Sequence, residues 1–189
     1  MDDKEFAFER SDKAHWHEFA RMRTIFLRAL HETTDGAVLE IGVHAGGSSL
    51  WWMVLMKDAN DLRHMTTIDP YLVIPTEYLE TMQHLGRYAT NFGMDWRHYL
   101  ISDRVFCNYV FPTLPENDKT YAFCYLDGPH DHESVVNEFA FFQNKMQKGG
   151  VILIDDICPK SSTWEDIKEM AGGGFEYEAF VGHIWLRRK

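Results

Sequence analysis

DGPHDHESVVNEFAFFQNKMQKGGVILIDD, residues Asp127 to Asp156, decides how the chain is read. It opens with an acid and a histidine three residues on, passes through a helical pattern, and closes on an apolar run ending in two adjacent acids. Val135, Val136, Phe139, Phe142 and Met146 recur at spacings of one, three, three and four, which predicts an amphipathic helix over Glu133 to Met146. Lys148, Gly149 and Gly150 are expected to stop it. VILIDD, from Val151, is the unbroken apolar run of a strand buried on both faces, as in a parallel sheet covered by helices. Just upstream, YAFCYLD reads as a strand ending at Asp127. Strand, helix and strand therefore bring three carboxylates and an imidazole to one sheet edge.

Working outward, AVLEIG (Ala37 to Gly42), VHAGGSS and LWWMVLMK read as strand, glycine-rich turn and helix. MTTIDPY, Met65 to Tyr71, is a second strand closing at Asp69. Leu72 to Asp95 has mixed helical character and reads as a helix or a lid segment. A third strand is expected at Arg97 to Ser102, then a short helix from Asp103 and a loop at LPENDK, Leu114 to Lys119. Thr163 to Ala171 predicts a helix, Gly172 to Gly174 a break, and FEYEAFVG and HIWLRR a closing antiparallel hairpin with Gly182 at its turn. At the other end, Ser11 to about His31 carries apolar residues at helical spacing, with Ser11 or Asp12 as N-cap. This order predicts an α/β fold, a Rossmann-like three-layer αβα sandwich on a mostly parallel sheet, in a single domain: residues 1–36 a helical cover and 37–189 the core. Ligands of such sheets lie at the carboxyl ends of the strands, where Gly42, Asp69, Asp127 and Asp155 all fall.

The 189 residues suffice for one core. A formal net charge of −10 argues against a protein that grips phosphate backbones, so no nucleic-acid partner is expected. Three cysteines at wide spacing, Cys107, Cys124 and Cys158, indicate neither a disulfide framework nor a zinc ribbon. The opening MDDKEFAFER lacks a basic-then-apolar leader, and the longest apolar run, Leu50 to Met56, is far short of a membrane span. A cytoplasmic protein with no membrane partner is expected; a homo-oligomer is allowed.

Each candidate site has a plainer alternative. In EIGVHAGGSS, Glu40 sits near the strand end and Gly42, Gly46 and Gly47 form a turn that lets a nucleotide or an amino-acid carboxylate approach backbone amides; a tight strand-to-helix connection explains it equally well. It is neither GxGxxG nor a P-loop. Asp69 stands where an acid holds ribose hydroxyls, or where it caps a turn ahead of Pro70. Ser102 and Asp103 are positioned to face an adenine. Asp127, Asp155 and Asp156 offer oxygen ligands suited to Mg²⁺ or Mn²⁺, and without a cation three converging carboxylates require raised pKa values. The alternative is that Asp156 points into a loop and Asp127 caps the next helix. His130 is placed to take a proton from a metal-held hydroxyl; Asp131 and His132 are weaker candidates. His15, His17, His31, His64, His84, His98 and His183 receive no role. Trp51, Trp52, Met53 and Met56 read as helix packing, and Tyr71, Tyr78, Tyr88, Phe92 and Trp96 as either pocket lining or core.

Taken together, EIGVHAGGSS, TIDPY, YLDGPHDHESVVNEF and KGGVILIDD resemble the class I S-adenosylmethionine-dependent methyltransferases, in particular the metal-dependent, macrocin O-methyltransferase-like sugar O-methyltransferases of macrolide and aminocoumarin pathways, with catechol O-methyltransferases more distant. The likeness runs from about Val38 to Asp156. It implies a seven-stranded sheet with the last strand antiparallel. It implies that Glu40, Gly42 and Gly46, with Ser48 nearby, bind the methionine and ribose part of S-adenosylmethionine, that Asp69 holds the ribose, and that Asp127 serves both the cofactor and the metal side. Asp127, Asp155 and Asp156 would carry Mg²⁺ and His130 would act as base. Pro129 stands where relatives commonly have an acid. The implied reaction is methyl transfer to a hydroxyl of a small molecule such as a sugar or natural product. A metal-dependent hydrolase using the same acids, or a non-catalytic S-adenosylmethionine-binding protein, remain the alternatives.

Overall fold

A computed structural model describes residues 16–33, 36–70, 75–180 and 182–189. The expected cap at Ser11 or Asp12, and Tyr71, lie outside them. Helix α1 (Trp16–Glu32) precedes β1 (Ala37–Ile41), α2 (Gly47–Asp58), β2 (Met65–Ile68), α3 (Pro75–Phe92) and β3 (Trp96–Tyr99). Helical turns over residues 103–113 lead on to β4 (Tyr121–Leu126), α4 (His132–Phe142), β5 (Met146–Ile154), α5 (Ser162–Ala171), β6 (Phe175–Phe180) and β7 (His183–Arg188).

The seven strands form one sheet in the order β3-β2-β1-β4-β5-β7-β6. All neighbours pair in parallel except around β7, which is antiparallel to both β5 and β6. The chain winds outward from β1 to β3 and then returns to place β4 on the other side of β1, so the strand order reverses between β1 and β4. That reversal opens the crevice where ligands of such sheets bind.

Both faces of the sheet are covered, which is why β1 and β4 are buried along their whole length and read as apolar runs. On one face Phe26 of α1 stacks on Trp52 of α2 with ring centroids 4.1 Å apart, above Phe123 and Trp185. On the other, Phe139 and Phe142 of α4 and Ile167 of α5 pack on Ile152 and Ile154. Trp51, Trp52, Met53 and Met56 are core residues, as expected.

Two boundaries differ from expectation, and one open alternative is decided. The helix expected to run to Met146 ends at Phe142, and the glycines expected to stop it lie inside β5. Met146 already pairs with Tyr121, and the pairing then slips before Phe123 resumes it opposite Val151. Gly149 takes φ 76°, and Gly150 lies so close to the carbonyls of Gln147, Ala122 and Tyr121 that no side chain fits. These glycines therefore bulge a strand. The stretch after β2 that allowed a lid is, from Pro75, an ordinary helix packed through Leu85, Tyr88 and Ala89 on the core that α2 shares. The third strand starts one residue earlier than expected, at Trp96, and ends at Tyr99. Among the described residues no helix is long and apolar enough to cross a membrane.

Candidate active site

The turn after β1 is shaped by three left-handed residues, Gly42, His44 and Gly46, with φ of 87°, 47° and 82°. At Gly42 the requirement is absolute: a Cβ there would stand 1.8 Å from the carbonyl oxygen of Asp127. The backbones following β1 and β4 thus touch. Gly46 is the N-cap of α2 and supplies no side-chain cap; a Cβ on it would come 2.7 Å from the Thr81 methyl of α3. Helix packing therefore demands that glycine.

Asp69, half-buried at the end of β2, holds this turn. Its Oδ2 accepts hydrogen bonds from the amides of Val43 and His44, both at 2.8 Å. The capping alternative for Asp69 is thus real, but what it caps is the glycine turn itself. Glu40, on β1, is fully buried and accepts hydrogen bonds from the hydroxyls of Ser48 and Ser49 at the start of α2. Burial pushes its carboxyl up to about 7, the serine bonds oppose this, and the charge of Asp69 adds to it. Ser48 thereby joins the site through Glu40.

Beyond β3, Ser102 and Asp103 are half-buried at the start of the helical turns that follow it. Ser102 Oγ accepts from the Val105 amide at 3.3 Å, a helix-capping bond.

The acids converge at the ends of β4 and β5. Burial, then the charge and hydrogen bond of Asp155, then the charge of Glu40 push the Asp127 carboxyl well above its ordinary range, opposed by a hydrogen bond from Tyr125. Burial also pushes Asp155 up, but its hydrogen bond to His183, the charge of that imidazole and the hydrogen bond from Asp127 outweigh it, leaving Asp155 below the usual carboxylate range. His183 Nε2 lies 2.5 Å from an oxygen of Asp155. Asp156, in a left-handed conformation with φ 50°, turns outward and is exposed. His130 Nε2 stands between the acids, 3.9 Å from Asp127 Oδ1 and 3.9 Å from Asp156 Oδ2.

Among the described residues no group of three or more His, Cys, Asp or Glu is arranged to hold a metal ion. The chemistry of the Asp127–Asp155 pair nevertheless fits a hard divalent cation, because two carboxyl groups in contact hold a proton that a cation can replace. The weaker candidates have structural duties: Asp131 caps α4 by accepting from the Ser134 amide at 3.0 Å, and His132 ties α4 to α5 through Asp166 at 3.2 Å and Thr163 at 3.0 Å.

Sequence reasoning missed two groups here, Tyr125 and His183. Tyr125 was hidden inside an apolar strand. His183 reaches the site because β7 is antiparallel, which places the strand's first residue, rather than its last, at the carboxyl edge of the parallel strands.

A family profile described as Methyltransferase domain matches residues 39–157, the span that contains every one of these groups except His183. The mimivirus protein "Uncharacterized protein R132" of Acanthamoeba polyphaga mimivirus is 26% identical over 156 residues, covering 81% of this chain and 63% of its own length. The chain therefore spans a little under two-thirds of that relative. Among solved structures, CalS11, a TDP-rhamnose 3'-O-methyltransferase of calicheamicin biosynthesis, superposes with a TM-score of 0.68 at 17% identity, covering 92% of this chain and 80% of the other. TomG of Streptomyces achromogenes, an O-methyltransferase of tomaymycin synthesis solved with S-adenosylmethionine, gives 0.62 at 13% identity over 90% and 80%. MycE of the mycinamycin pathway, solved with Mg, S-adenosylhomocysteine and mycinamycin VI, gives 0.58 at 15% identity over 93% of this chain and 50% of its own. At these identities the likeness is one of fold.

Proposed function

The chain belongs to the methyltransferase-domain family matched over residues 39–157, and we propose that it transfers the methyl group of S-adenosylmethionine to a hydroxyl of a small molecule, with a divalent cation on its acid pair. The observation that supports this best is the contact of Gly42 with the Asp127 carbonyl. It joins the turn held by Asp69 to the turn that carries Asp127 and His130, so a cofactor on the first and an acceptor on the second lie side by side, as direct transfer between them requires.

S-adenosylmethionine supplies a methyl group on a positively charged sulfonium, an electrophile that needs no further activation. On the cofactor side, Glu40 with Ser48 backs the turn, Gly42 and Gly46 give it its left-handed bends and its close packing, Asp69 fixes it and is the acid placed to hold ribose hydroxyls, and Ser102 and Asp103 border the place for the adenine. Mg²⁺ or Mn²⁺ held by Asp127 and Asp155, with Asp156 alongside, would supply a Lewis acid that lowers the pKa of the acceptor hydroxyl. His130, between Asp127 and Asp156 and open to solvent, takes the proton that leaves the acceptor oxygen as the oxygen–carbon bond forms and the sulfur–carbon bond breaks. The negative charge of the chain suits a neutral or cationic acceptor, such as a sugar or natural product carrying a hydroxyl. Its three free cysteines suit a reducing, cytoplasmic setting.

Titration of the purified chain with S-adenosylhomocysteine, with and without Mg²⁺, tests the proposal by calorimetry. Binding is expected in both conditions. No binding in either would overturn the methyltransferase reading, and Mg²⁺-dependent hydrolysis without cofactor binding would favour a hydrolase.

A further inference from the structure

His183 is the first residue of β7, and only 3% of it is exposed. The antiparallel register of β5 and β7 sets Ile154 opposite Ile184, so the next pair outward sets Asp155 against His183. The loop beyond is tied in as well, because the Ile157 amide donates to the Gly182 carbonyl at 3.1 Å. Backbone pairing on both sides thus leaves His183 little freedom, and its Nε2 meets Asp155 Oδ1 at 2.5 Å. Asp155 in turn receives the hydrogen bond of Asp127, which Tyr125 also contacts.

We propose that His183 is a positioning residue of the site: its Nε2 fixes the Asp155 carboxylate in the orientation from which it meets Asp127, so that the two acids face the acceptor as one rigid oxygen pair. The role rests on the methyltransferase reading for its purpose and on the β5–β7 register for its geometry. A carboxylate on a strand end has two soft torsions; a buried imidazole bonded to one oxygen restricts them. Partners of this kind orient a ligating group without touching the ion, and losing one weakens metal binding by about 10- to 100-fold.

The geometry supplies a discriminating pair of variants. The amide nitrogen of glutamine occupies nearly the place of imidazole Nε2, whereas that of asparagine matches Nδ1 and falls short of Asp155. His183→Gln and His183→Asn in the full chain are compared with the wild type by calorimetry for Mn²⁺, with bound S-adenosylhomocysteine measured separately and folding followed by thermal midpoint. The expected result is Mn²⁺ affinity near wild type for His183→Gln, weakened at least about tenfold for His183→Asn, and S-adenosylhomocysteine affinity unchanged in both. Wild-type Mn²⁺ affinity in a folded His183→Asn overturns the role, as does an equal loss in both variants or a wild-type chain that takes up no Mn²⁺. A chain that shows the expected Mn²⁺ pattern but binds no S-adenosylhomocysteine leaves His183 in place and overturns the methyltransferase reading instead.

Discussion

Gly42 and Asp127 meet backbone against backbone at the reversal point of the sheet, where a Cβ added to Gly42 would stand 1.8 Å from the Asp127 carbonyl oxygen. The contact is set by adjacent parallel strands: Ile41 pairs with Leu126, so the residues that follow each strand leave the sheet together.

Gly42→Ala has to push the two turns apart and to hold alanine at φ 87°. Overpacking of this kind costs about 1–3 kcal/mol, and the left-handed backbone adds to it. Urea denaturation is expected to show at least that loss, accompanied by lost binding of S-adenosylhomocysteine. Gly46→Ala serves as the contrast. There the obstacle is the Thr81 methyl, which can move, so the cost is expected to be smaller, on the order of 1 kcal/mol. Equal losses at the two positions would show that the Gly42–Asp127 contact is not the constraint.

Asp127 and Asp155 were legible because a strand buried on both faces is an apolar run and the first charged residue marks its end; Asp69 and Gly42 were legible from the proline and the glycine-rich turn that follow β2 and β1. What a linear pattern hides is pairing. Gly149 and Gly150 looked like a helix stop because nothing local reveals that Met146 already pairs with Tyr121 across the bulge. His183 looked like any other histidine because its neighbour Asp155 lies 28 positions away and is reached only through an antiparallel strand. The outward turn of Asp156, at φ 50°, follows the plainer of the two readings open in the sequence, an acid pointing into a loop, and aspartate is one of the few non-glycine residues that tolerates a left-handed backbone.

Removing the Asp69 side chain frees two amides. Hydrogen bonds to a charged group contribute about 1.5–3 kcal/mol each, so Asp69→Ala is expected to loosen the turn and weaken S-adenosylhomocysteine by at least about tenfold. Asp69→Asn keeps one acceptor oxygen for the same amides and is expected to fall between. Calorimetric titration decides it. An alanine variant that binds like wild type would leave Asp69 as a structural cap alone.

The acids that His130 faces are Asp127 and Asp156, each 3.9 Å away, and not Asp69, which holds the glycine turn. Loss of His130 should therefore spare cofactor binding and slow transfer. With an acceptor in hand, His130→Ala is expected to reduce turnover by about 10²- to 10⁴-fold at unchanged S-adenosylhomocysteine affinity. Unchanged turnover would remove His130 from the proton transfer.

Glu138 offers a test that needs no acceptor. It lies on α4 against Gly128 of the Asp127 turn, 2% exposed, and its Oε1 has no hydrogen-bond partner among the described residues. Burial pushes its carboxyl from the ordinary 4.5 up to about 9, with the charges of Asp103 and Asp131 adding to the shift. The folded chain therefore holds a proton that the unfolded chain releases between pH 4.5 and about 9, and stability falls as pH rises through that window. By pH 7 the loss is on the order of 3 kcal/mol relative to acid conditions. Glu138→Gln fills the same volume and needs no proton. Urea denaturation at a series of pH values is expected to show the variant gaining on the wild type steadily from pH 4.5 to pH 8, by a few kcal/mol in all. A difference that stays flat across that range would mean Glu138 is ionised in the folded chain, with a cation or an amide beneath the Asp127 turn as its partner.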